Sequence, residues 1–91
     1  MSIQAMTWAI EQKIPTIPKF VLLMISNNSD ENACCDVVID KLANRVSLSI
    51  DRLYESIDWL ISNGYLTHVE NYIFDGLNVV KFKLEGDYYE L

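Results

Sequence analysis

The chain has 91 residues, which fits one small domain near the lower limit for a self-sufficient core. A hydrophobic fraction of 51% excludes a disordered chain. Thirteen acids against seven Lys and Arg leave a net charge of −6. That balance opposes docking on a phosphate backbone or an anionic membrane, and it favours a basic protein surface as partner. Cys34 and Cys35 are adjacent, and neighbouring side chains do not readily reach disulfide geometry. A reduced, cytoplasmic setting is expected from them. The apolar run Phe20 to Ile25 is far too short to cross a bilayer. Met1 to Met6 lacks the basic start and apolar middle of a signal peptide.

In chain order, Ser2 can cap a first helix through Gln12, with Ile3, Met6 and Ile10 on one stripe. Pro15 ends it. Thr16 reads as a second N-cap, with Pro18 in the first turn, where its missing N–H is harmless. The helix Ile17 to Ser26 is apolar nearly all round and belongs in the centre of a fold. Asn27 to Asn32 is a polar turn cluster. Val37 to Asn44 reads as a short helix with Val38, Ile39, Leu42 and Ala43 inward, followed by a tight turn, Arg45 to Leu48.

Ser49 then caps the longest helix, which runs to Asn63. Its apolar stripe is Ile50, Leu53, Ile57, Leu60 and Ile61. Gly64 supplies a left-handed C-terminal cap. Leu66 to Phe74 and Leu77 to Leu84 read as strands joined across Asp75-Gly76, a strong hairpin signal. Val80, Phe82 and Leu84 alternate with Val79, Lys81 and Lys83. The expected fold is a single α+β domain: a helix-turn-helix core over 17–64, a two-stranded hairpin over 66–84, and an acidic tail over 85–91 that includes Tyr88 and Tyr89.

Helices followed by one hairpin is the winged-helix order. Three segments, Met6 to Gln12, Pro18 to Leu23 and Asp30 to Asn32, resemble the N-terminal winged-helix domains of phage and plasmid replication initiators and small phage regulators. The resemblance continues through Leu42-Ala43, Ser47-Leu48-Ser49 and Leu60 to Leu66, and covers Ser2 to about Leu66 without a gap. It implies DNA binding, with the helix from Ser49 in the major groove and the hairpin along the backbone. On that reading Arg45, Ser47, Ser49, Arg52, Tyr54, Lys81 and Lys83 supply the contacts, and the protein acts as a transcription or replication regulator, as a dimer.

The departures fall on the recognition helix. Where the family carries basic and polar residues, this chain has Ile50, Asp51 and Glu55, with Asp58 one turn on. Asp51, Glu55 and Asp58, spaced i, i+4 and i+7, form one stripe opposite the apolar one. Phosphate contacts need cations, and three carboxylates aimed at a groove repel it. The preferred expectation is therefore a protein-binding domain, an inhibitor or nucleic-acid mimic aimed at host nucleic-acid machinery in the manner of anti-CRISPR proteins. Asp51, Glu55 and Asp58 would meet a basic surface, with Trp59 as an exposed anchor beside them. The bland alternatives are a solvated helix face and a Trp59 packed on the N-terminal helix or in a homodimer contact. Trp8 reads as core.

No catalytic site is expected. His68 is the one histidine and lies in a strand without a partnered nucleophile. Cys34 and Cys35 lack metal-site spacing and read as small hydrophobes in a strand or turn. None of the three glycines belongs to a phosphate loop, so neither metal nor cofactor is expected.

Overall fold

The computed structural model describes residues 3–86. In order these form α1 (Ile3–Glu11), α2 (Thr16–Ser26), β1 (Cys34–Val38), α3 (Ile39–Val46), α4 (Ile50–Ser62), β2 (Leu66–Phe74) and β3 (Leu77–Leu84). The domain is α+β, with four helices and one three-stranded antiparallel sheet of order β1-β3-β2. Ser2 and residues 87–91, the bulk of the acidic tail with Tyr88 and Tyr89, lie outside the described residues.

The first helix turns a different face inward from the one its large apolar residues suggest. Ala5 and Ala9 are fully buried, while Ile3 and Ile10 are 74% and 55% exposed. Alanine's small side chain lets α1 lie close against α2, with which it packs, and the bulky isoleucines are turned out. Trp8 is half-buried against the core. Gly86 approaches it so closely that a Cβ there would overlap the indole.

At the start of α2 the cap is Pro15, in an extended conformation, and no side chain caps the helix. Thr16 is thus the first helical residue rather than the cap. The Pro15 carbonyl accepts from Lys19 N at 3.0 Å, the first i→i−4 bond of the helix. Val21, Leu22 and Ile25 are buried, whereas Ile17 and Phe20 remain exposed.

The turn after α2 leads into a strand, not a helix. Asp30 Oδ1 accepts from the main-chain N–H of Asn32 at 2.8 Å and of Cys34 at 3.0 Å, an Asx-type closure that feeds β1. Val37 and Val38, expected to open a helix, pair with Val80 and Val79 instead, and α3 begins at Ile39. β-branched residues suit a pleated, half-buried surface, and the neighbouring β3 supplies that surface. Cys34 and Cys35 are both in this strand. Ser29 bridges Cys35 from the other side of β1.

Ser47, at φ 58°, ends α3 in the left-handed conformation, and Leu48 N donates to Ala43 O at 3.0 Å. Two residues on, the Ser49 hydroxyl accepts from Arg52 N at 3.2 Å and caps α4 as its sequence suggests. Gly64, at φ 83°, closes the far end. The hairpin has the expected boundaries. Asp75 and Gly76 both have positive φ, as a primed two-residue turn requires.

The sheet has three strands where two were expected, because β1 joins β3 along its free side. Across it Cys35 faces Phe82 and Val37 faces Val80, while Leu66 faces Leu84 on the β2 side. Those residues point to the helices and meet Leu22, Ile25, Leu53, Ile57 and Leu60 in one core. A bulge at Val69 shifts the β2–β3 register between His68 and Glu70. Phe82, 1% exposed, is among the largest fully buried side chains. Phe82→Ala should cost about 3–5 kcal/mol, a large share of a small domain's stability, and should appear as a matching fall in the urea midpoint at unchanged slope.

Candidate functional site

α4 presents two opposed faces. Leu53, Ser56, Ile57 and Leu60 are buried, and at 100° per residue they centre on one side of the cylinder. Asp51, Glu55 and Asp58 are all exposed and lie on the opposite side. The structure therefore brings the three carboxylates together as one outward stripe. Arg52 is the cation within reach, its Nε 3.7 Å from Glu55 Oε2, with both side chains largely solvated. Such an exposed pair contributes little to stability.

Tyr54 and Trp59 stand on opposite flanks of the stripe, and Tyr54 is the more exposed of the two. Tyr54 is exposed, and Ile50, expected in the apolar stripe, is exposed on the same flank. Trp59 is half-buried and packed on the core. Its ring stacks on Tyr65 with centroids 6.2 Å apart and planes at 7°. Trp8 meets the same Tyr65 at 6.4 Å. Tyr65 is the residue that sequence reasoning missed: following Gly64 at the helix exit, it sits between the two indoles and draws Trp59 inward.

The cations assigned to DNA contact are scattered and offset. Arg45, exposed on α3, lines a cleft of about 310 Å³ together with Lys41, but Asp30 and Asp36 line the same cleft. Lys81 Nζ lies 3.9 Å from Glu70 Oε1. Lys81 and Lys83 project from the sheet face opposite the one that carries Val80, Phe82 and Leu84, away from the helices. Ser47 and Ser49 are exposed, but both are used by their helix ends. The Tyr72 hydroxyl reaches Asp36, and desolvation followed by that carboxylate's charge raises its pKa.

Among the described residues no three His, Cys, Asp or Glu side chains are grouped to hold a metal ion. His68 hydrogen-bonds Asn71 Oδ1 at 2.8 Å through Nε2 and sets its ring edge against Phe82. Among the described residues no helix is long and apolar enough to cross a membrane.

No known family model, curated protein or solved structure matches this chain.

The two thiols differ in environment. Cys34 is half-buried, while Cys35 is buried and its pKa is pushed up from 9.0 to about 12, first by desolvation and then by Asp30. In the folded chain Cys35 stays a neutral thiol, while the unfolded chain ionises it above pH 9. Its contribution to stability is therefore complete below pH 9 and is lost as pH rises from about 9 to about 12. Since the thiolate is the nucleophile, iodoacetamide at pH 8 should modify one thiol, Cys34, in native protein and both in denaturant. Peptide mapping checks the assignment; rapid native labelling of Cys35 would contradict it.

Proposed function

We propose that this chain is a winged-helix domain whose recognition helix binds a basic protein surface, acting as an inhibitor or nucleic-acid mimic toward nucleic-acid-handling machinery. From α2 onward, the order helix, strand, two helices and hairpin, with a β1-β3-β2 sheet, supports the winged-helix reading. The single observation that carries the binding mode is the outward stripe of Asp51, Glu55 and Asp58 on α4.

Two features strengthen it. The stripe sets three negative charges along about 10 Å of helix axis, so a basic surface laid on α4 meets all three together. Tyr54 and Ile50 flank it as exposed apolar area, which a protein interface uses at its centre. DNA reading has the weaker support, because Arg52 and Lys81 each stand within 4 Å of a carboxylate of the chain itself and Arg45 shares its cleft with Asp30 and Asp36.

The test is a titration of ¹⁵N-labelled protein, followed by amide shifts, with mixed-sequence DNA duplexes and separately with an oligo-arginine peptide as the basic probe. The peptide should move α4 amides from Ile50 to Trp59 and leave α1 unmoved. Asp51→Lys combined with Glu55→Lys and Asp58→Lys should weaken peptide binding by about tenfold or more, roughly 1.4 kcal/mol. Salt-sensitive duplex binding that Arg52→Ala with Lys81→Ala removes would overturn the reading in favour of a DNA-binding regulator.

A further inference from the structure

The cleft that Arg45 lines is separate from the acidic stripe, since none of its lining residues belongs to α4. At about 310 Å³ it stands at the lower end of the ~300–1,000 Å³ that small-molecule sites occupy, so it suits one amino acid rather than a nucleotide. Met24, Val37 and Leu42 give it apolar lining. Its two signs of charge come from different elements. Lys41 and Arg45 stand four residues apart on α3, a spacing that sets both side chains on one helix face, within reach of a shared anion. Asp30 comes from the turn before β1 and Asp36 from β1 itself. Hydrogen bonding then separates the two pairs. Asp30 Oδ1 accepts from the main-chain N–H of Asn32 and Cys34, and Asp36 accepts from the Tyr72 hydroxyl, so the fold holds both carboxylates in place. Among the described residues the side chains of Lys41 and Arg45 have no carboxylate oxygen within 4 Å and no hydrogen-bond partner.

The lining selects its ligand by charge. A simple anion drawn to Lys41 and Arg45 would also meet Asp30 and Asp36, and a simple cation would meet the reverse. A molecule that carries both charges beside an apolar group meets each sign with its opposite and covers the apolar lining. We propose that this cleft binds a free amino acid with an apolar side chain. Lys41 and Arg45 receive its carboxylate, Asp30 and Asp36 its ammonium, and Met24, Val37 and Leu42 its side chain. Arg45 offers the carboxylate two parallel N–H donors, and Lys41 adds a compact positive charge one turn earlier. Cys34, half-buried, lines the same cleft, so its thiol reports occupancy.

Titration of ¹⁵N-labelled protein with L-leucine and L-phenylalanine, followed by amide shifts, tests this. At least one should saturate, moving the amides of Cys34, Asp36, Lys41 and Arg45 and leaving α4 unmoved. N-acetyl-leucine, which lacks the ammonium, and leucinamide, which lacks the carboxylate, should each bind about tenfold more weakly than leucine, because each leaves one pair of charges unmet. The bound amino acid should also slow alkylation of Cys34 by iodoacetamide. Lys41→Met combined with Arg45→Met, both at exposed positions, should abolish saturation while far-UV circular dichroism stays native. The absence of saturable shifts with both amino acids would overturn the proposal, and the capped analogues decide this on the unaltered chain. N-acetyl-leucine binding as tightly as leucine would make the cleft an anion site, and leucinamide doing so a cation site; either overturns it. Undiminished Cys34 alkylation in the saturated protein would put the ligand elsewhere and overturn it as well. None of these outcomes depends on what α4 binds.

Discussion

β3 is the constraint on which the remaining elements depend. Among the described residues it is the strand flanked by other strands on both sides, and its inward residues Val80, Phe82 and Leu84 form the floor on which the helices rest. In a domain of this size the core is small enough that a single misaligned strand would expose most of it. The register is held from three directions. The Asp75-Gly76 turn fixes the β2 side. Cys35 and Val37 lock the β1 side by packing inward beside Phe82 and Val80. Leu84 N donates to Ala33 O at 2.8 Å at the end of the strand. Once β3 is set, α4 has one place to lie, with Leu53, Ile57 and Leu60 down, and its acidic stripe points out by geometry alone.

How much of this was legible in the chain depended on whether the signal was local. The hairpin boundaries and the Ser49 cap follow from turn and cap chemistry contained within a few residues, and they stand where the sequence places them. The strand Cys34–Val38 was legible only at its start, where Cys34 and Cys35 read as strand or turn; Val37 and Val38 continue the helical spacing of Ile39, Leu42 and Ala43, and only a distant partner makes them a strand. Spacing likewise chose isoleucine over alanine as the inner face of α1, because periodicity weighs side-chain size and does not register how closely a second helix approaches.

The α4 surface divides the same way. That Asp51, Glu55 and Asp58 share an outward stripe follows from 3.6 residues per turn. The fate of Trp59 depends on Tyr65, six residues away beyond Gly64, and on Trp8 in another helix. Helical spacing alone puts Trp59 on a flank, where burial is decided by whatever the chain folds over it. Tyr54, on the other flank, has no such cover.

The bridge between Ser29 and Cys35 has a consequence for assembly size. A three-stranded sheet has two rims, and a fold open at both would stack copy upon copy into a fibre. Here the first two residues of the short β1 are covered on their outer side by the chain itself: Ser29 bridges Cys35, and Asp30 N donates to Cys34 O at 2.9 Å. A strand arriving at that end of β1 finds the main-chain groups already taken. The polar turn that carries the chain from α2 into the sheet thus also guards this stretch of rim against strand addition.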